Sequence, residues 1–136
     1  MMKYLVNIFL IMNAMCLITV QAEPYGAQRE LSRIRAEQSL LELDKTFHAV
    51  KRLMMSTVMT GDSEHDERSV EYFEQAFNKW KAYRSATCDS QTHLDVYPIE
   101  SRLYMQTLND CLWAMNKQYI EYLNNVSSGV ISYIKQ

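Results

Sequence analysis

Three histidines, His48, His65 and His93, are the first residues to weigh for chemistry, because imidazole titrates near neutral pH and ligates metals. None stands in a His-Glu-x-x-His arrangement, and the chain holds no Gly-x-Ser-x-Gly nucleophile elbow and no glycine-rich phosphate loop. His65-Asp66-Glu67 has the composition of an acid–base or metal cluster, yet adjacent residues on a helix point in different directions, and the triplet reads better as a solvated first turn. Glu71 and Glu74 are spaced to share a helix face, as exposed acidic pairs commonly are. Met54, Met55 and Met59 read as adaptable core filler rather than a soft-metal strip. The expectation is a non-enzyme with no catalytic residue, no metal and no cofactor.

The cysteines carry the remaining chemistry. Cys16 lies in a segment with the marks of a signal peptide: Lys3 in a short basic start, an apolar run over residues 4–20 broken only by Asn7, Asn13 and Thr19, and Val20-Gln21-Ala22 as a small-residue cleavage site. Residues 1–22 are therefore expected to be removed, leaving a periplasmic or secreted chain. The alternatives are an uncleaved anchor, since a run of about 17 apolar residues is at the lower limit for crossing a bilayer, and lipidation at Cys16, whose preceding Asn13-Ala14-Met15 suits that modification poorly. Without Cys16 an even pair remains. In an oxidising compartment Cys88 and Cys111 read as one disulfide, with two buried free thiols as the alternative. Two cysteines with no histidine at ligand spacing do not make a four-ligand zinc site.

Cleavage after Ala22 leaves residues 23–136, enough for one domain with one core. Lys3 is the only charged residue removed, so thirteen basic residues face sixteen acidic ones and the net charge is −3. No basic run or patch appears, which argues against nucleic acid as a partner. The sign is compatible with a basic protein partner.

These residues must be positioned by helices. Two prolines and three glycines all fall where segments should begin or end. Over residues 28–59 the apolar side chains Leu31, Ile34, Leu40, Leu43, Phe47, Val50, Met54 and Val58 recur at three-and-four spacing. Gly61 should stop this helix. Asp62 or Ser63 should cap a second, whose first turn carries Glu64, Asp66 and Glu67 where negative charge suits the helix dipole. Its stripe runs Val70, Phe73, Phe77, Trp80, Arg84 and Thr87 or Cys88, ending near Ser90. A third helix should start at Pro98 and bury Leu103 or Tyr104, Leu108, Cys111, Met115, Tyr119 and Tyr122. Asn124, Asn125, Ser127, Ser128 and Gly129 should end it, leaving 130–135 as a short packing segment.

A disulfide constrains this layout. Were helix three to run straight back from Pro98, Cys111 would lie about 20 Å past its start, whereas a disulfide holds its α-carbons within about 7 Å. Residues 89–97 are therefore expected to project as a polar loop, with Gln91, Thr92 and His93 as contact residues. Arg84 interrupts an apolar ridge. Its stem is expected to pack on Trp80 or Tyr83 with its head bonded inside the domain, the alternative being a reach toward a partner. Trp80 and Tyr83 are expected in the core, and Trp113, Tyr104, Tyr119 and Tyr122 as exposed aromatic contacts.

The segment Trp80, Tyr83, Arg84 and Cys88, spaced Trp-x-x-Tyr-Arg-x-x-x-Cys, with Cys111 as the later cysteine, resembles the LprI-type lysozyme-inhibitor family. Leu43-Asp44-x-x-Phe47 is similar to a relaxed form of that family's Leu-Asn-x-x-Tyr, and the resemblance spans residues 40–123. The additional amino-terminal cysteines common in the family are absent, and Tyr119 stands near the place where an arginine usually follows the second cysteine. The resemblance implies an exported, all-α, antiparallel bundle that inhibits a peptidoglycan-cleaving enzyme such as lysozyme. An immunity protein against a competitor's cell-wall hydrolase, or a structural scaffold of the envelope, are the alternative readings. In the inhibitor reading a loop bearing Gln91, Thr92 and His93 enters the enzyme's cleft, while Glu64, Asp66 and Glu67 meet its basic rim.

Overall fold

A computed structural model describes residues 24–57, 61–95 and 102–134, and these form three helices of 33 residues each: α1 (Pro24–Ser56), α2 (Ser63–Asp95) and α3 (Arg102–Ile134). At 1.5 Å per residue each is about 50 Å long. The chain runs up, down and up, so α1 and α3 are parallel and α2 is antiparallel to both. Contacts fix this register: Ser39 meets Asn116 and Glu42 meets Lys117 between α1 and α3, Lys51 meets Glu74 between α1 and α2, and Cys88 meets Cys111 between α2 and α3. The expected signal segment, with Cys16, lies outside the described residues, as do Val58, Met59 and Pro98. Among the described residues no helix is long and apolar enough to cross a membrane.

The core is built where three stripes meet. Leu43, Phe47, Val50 and Met54 of α1, Phe77 of α2, and Ile120, Leu123 and Val130 of α3 are buried together, with Phe73, Trp80 and Tyr119 packed against them. Phe47 stacks on Phe77 with ring centroids 3.9 Å apart, and Trp80 on Tyr119 at 4.0 Å. Burying each large apolar side chain of this group contributes about 1.5–3 kcal/mol.

In the first half of α1 the stripe differs from the expectation. Leu31 and Leu40 are 45 % and 37 % exposed, while Ser32, Ala36 and Ser39 are buried. Carrying the three-and-four spacing back from Leu43 reaches these small residues, and hydrophobicity alone selects the neighbouring leucines. The serine hydroxyls donate to carbonyls three residues back, Ser32 to Arg29 and Ser39 to Ala36, both at 2.9 Å, so their burial leaves no unmade bond.

Gly61 turns the chain at φ 76°, a left-handed conformation that glycine adopts without strain. Asp62 is the cap of α2: its Oδ1 accepts from the backbone amides of Glu64 at 3.0 Å and His65 at 3.4 Å.

Two helix ends correct the sequence reading. α2 does not stop near Ser90 but continues to Asp95, and α3 extends past Asn124, Asn125, Ser127, Ser128 and Gly129 to Ile134. In α3 the weak helix formers are carried by packing, since Leu123 and Val130 are buried and Val126 is packed on the core. In α2 the outward reach that the disulfide demands comes from the helix itself: from Cys88 to Asp95 it rises about 10 Å, and α3 returns about 13 Å from Arg102 to Cys111. Cys88 and Cys111 are bonded, with α-carbons 5.6 Å apart.

Candidate functional site

The segment from Trp80 to Cys88 lies within α2. Cys88 is fully buried, Trp80 and Arg84 are half-buried, and Tyr83 is 61 % exposed, which corrects its expected place in the core. One residue before Arg84, it sits 100° round the helix from the buried ridge. Trp80, Arg84 and Cys88 step by four and stay on that ridge.

Arg84 stays within the domain. Its Nη1 donates to Asn116 Oδ1 at 2.7 Å, and its guanidinium lies over Trp80 at 5.5 Å from the ring centroid. Asn116 Nδ2 donates in turn to Ser39 Oγ at 2.9 Å, linking all three helices. Arg84 Nε is buried without a partner. Burial pushes the guanidinium below its ordinary pKa, and the Asp44 carboxylate opposes the shift. An arginine remains charged at any working pH, so this is a structural cation rather than an acid–base group. Neither Asn116 nor Ser39 stood out in the sequence. The available signal was a polar residue at the core position of each stripe.

The residues expected to contact a partner fall at opposite ends of the bundle. From Asp66 to Thr92, α2 spans about 39 Å. A standard interface of about 800 Å² per partner is roughly 30 Å across, so the two groups do not share one such patch. The loop entering an enzyme's cleft is also corrected through residue 95, because residues 89–95 are helical, and 96–97 lie outside the described residues. Thr92 is wholly buried with its hydroxyl donating to the Cys88 carbonyl at 2.7 Å. His93 is exposed, with Nδ1 2.7 Å from the Asp89 carbonyl and its ring edge-on to Tyr104 at 5.4 Å. Gln91 is exposed and lies against Cys111 Sγ at 3.6 Å. Of the aromatics expected at the surface, Trp113 and Tyr122 are exposed, Tyr104 is buried, and Tyr119 is half-buried against Trp80.

At the other end, a cleft of about 640 Å³ is lined by α1, the turn at Gly61 and α2. Met54, Met55 and Val70 give it an apolar floor, and Asp66, Glu67, Glu71 and Glu74 line the α2 side. Among the described residues Lys51 is the one cation in this lining and pairs with Glu74, while Glu71 accepts from Gln75 at 3.2 Å. Glu64 pairs with Arg68 outside the cleft. Four carboxylates against one ammonium leave the lining negative, and its apolar floor suits the methylene stem of a long cationic side chain. Among the described residues no group of three or more His, Cys, Asp or Glu is arranged to hold a metal ion.

No known protein family, curated protein or solved structure matches this chain.

Proposed function

We propose that this chain is an exported binding protein that inhibits a basic peptidoglycan-cleaving enzyme of the lysozyme kind, using the acidic cleft at the α1–α2 end as its contact surface. The observation that carries the reading is the cleft lining itself, in which Asp66, Glu67, Glu71 and Glu74 face one lysine above Met54, Met55 and Val70. A lysine or arginine on the enzyme's rim would lay its stem on the methionines and its head among the carboxylates. The resemblance carried by Trp80, Tyr83, Arg84, Cys88 and Cys111 supplies the class of target. Inhibition of this type works by occlusion and requires shape and charge in place of reacting groups.

The test is binding of the purified protein to a panel of peptidoglycan hydrolases, basic and acidic. The reading expects micromolar or tighter affinity for a basic member, weakening as salt is raised. Indifference to every member of the panel contradicts it.

A further inference from the structure

The two halves of the disulfide are not equivalent. Cys88 is fully buried, its Sγ 3.6 Å from Met115 Sδ. Cys111 is only half-buried, and its Sγ lies 3.6 Å from Oε1 of Gln91, an exposed side chain one turn beyond Cys88 on α2. A disulfide opens when a thiolate attacks one sulfur and the other leaves, so access decides which half is taken. Here a dissolved thiol reaches Cys111 and not Cys88, and it arrives beside the Gln91 amide.

The helices do not depend on this bond alone. Arg84, one turn before Cys88, is joined to Asn116 at 2.7 Å, Thr92, one turn after it, is fully buried, and His93 lies edge-on to Tyr104 at 5.4 Å. These contacts bracket the bond on both sides. Opening it therefore leaves the Cys88 thiol next to Cys111, placed to close the bond again.

We propose that Cys111 is a thiol-coupling site, at which a small thiol or the cysteine of a dithiol oxidoreductase joins this chain as a mixed disulfide, with buried Cys88 as the resolving thiol. The incoming thiolate attacks Cys111 Sγ and forms a new S–S bond there. The Cys88–Cys111 bond breaks, and its electron pair leaves on Cys88 Sγ, which takes a proton from water. One disulfide replaces another, so no separate oxidant or reductant is needed. In the reverse step the Cys88 thiolate attacks Cys111 Sγ and expels the adduct as a thiolate. Gln91 screens the approach to Cys111.

Adduct mapping tests the assignment, in a Cys16→Ser background where Cys88 and Cys111 are the only cysteines. Protein with its disulfide intact is mixed with excess glutathione, quenched in acid and mapped by peptide mass, and every adduct is expected on Cys111. Cys88→Ala and Cys111→Ala, each checked for helical circular dichroism, are then treated with oxidised glutathione. Cys111 in the first should couple about tenfold or more faster than Cys88 in the second, which reacts only through local opening, and the two rates should converge in denaturant. Gln91→Ala should speed coupling about twofold or more. A dithiol oxidoreductase whose second active-site cysteine is serine replaces glutathione in a parallel arm. A covalent complex formed faster than the glutathione adduct makes a protein thiol the partner, and a slower one makes it a small thiol. An adduct mapped to Cys88, equal rates in the two folded single-cysteine variants, or no adduct on Cys111 from either thiol overturns the proposal, and an unchanged rate in Gln91→Ala overturns the screening role of that residue.

Discussion

Arg84 Nη1 on α2 donates to Asn116 Oδ1 on α3 at 2.7 Å, and Asn116, only 1 % exposed, passes the connection to Ser39 on α1. A single amide thus holds a half-buried cation and ties three helices together. Such a network is specific because each member satisfies the next, and it is costly to interrupt because the remaining groups are left without water.

Asn116→Ala should therefore cost about 2–3 kcal/mol, the loss of a hydrogen bond to a charged group plus the loss of the amide's donation to Ser39 Oγ. At the usual conversion for a domain of this size the melting temperature should fall by roughly 10 °C. A double-mutant cycle pairing Asn116→Leu with Arg84→Met should give a coupling energy of about 1–3 kcal/mol. Additive effects in that cycle would show that the 2.7 Å contact carries no energy.

The disulfide closes a loop of sequence separation 23, and on a chain-entropy account contributes about 3 kcal/mol. Cys88→Ser should lower the melting temperature by 10 °C or more, since it also places a hydroxyl where the wild-type side chain is fully buried. Intact-mass analysis after alkylation without reductant checks the premise. Two modified thiols at Cys88 and Cys111 would contradict it.

Trp80 stacks on Tyr119 at 4.0 Å and carries Arg84 over its ring. Trp80→Ala should cost about 3–5 kcal/mol through the cavity it opens, and Trp80→Phe should recover a good part of this. A Trp80→Ala protein with wild-type denaturant midpoint would place the indole outside the core.

Tyr119 offers a pH signature. Burial raises its phenol pKa above the ordinary value, with a smaller push from Tyr122. The folded state therefore holds its proton more tightly than the unfolded state, so its stability contribution is complete below the unfolded pKa of about 10 and is lost as pH rises through the higher folded value. Alkaline unfolding should begin above about pH 10 and move to higher pH in Tyr119→Phe. An unchanged alkaline midpoint in that variant would show that another group controls the transition.

Much of this arrangement was legible in the residues. The spacing of Leu43, Phe47, Val50 and Met54 and the Gly61-Asp62 turn marked α1, its end and the start of α2. The pair Cys88 and Cys111 marked the staple. The far ends of α2 and α3 were misplaced because Ser90, Asn124, Asn125 and Gly129 carry weak local helix preference, which tertiary burial of Thr92, Leu123 and Val130 overrides. That override removed the projecting loop through residue 95 and left Gln91 and His93 on the side of a helix. The cleft was illegible for a different reason. Glu71 and Glu74 read as a solvated pair until α1 supplied Lys51, Met54 and Met55 opposite them.

Gln91→Ala and His93→Ala, both at exposed sites, should each change stability by no more than about 0.5 kcal/mol. Thr92→Ala should cost about 1–2 kcal/mol, as a buried methyl-bearing side chain that also satisfies the Cys88 carbonyl. Chemical denaturation separates the three. A silent Thr92→Ala beside a damaging Gln91→Ala would mean that the register of this stretch of α2 is wrong.

The inhibition reading rests most directly on the charge of the cleft. The decisive measurement is the rate of cell-wall clearing by a basic lysozyme titrated with the protein and with its Glu67→Lys, Glu71→Lys double variant at low and high salt. The account predicts dose-dependent inhibition by the unmodified protein. It also predicts an inhibition constant raised about tenfold or more by the double reversal at low salt, with the difference shrinking as salt screens it. Equal inhibition by the two proteins would remove the cleft from the interface, and clearing that proceeds unchanged with the unmodified protein in micromolar excess would contradict inhibition of that enzyme altogether.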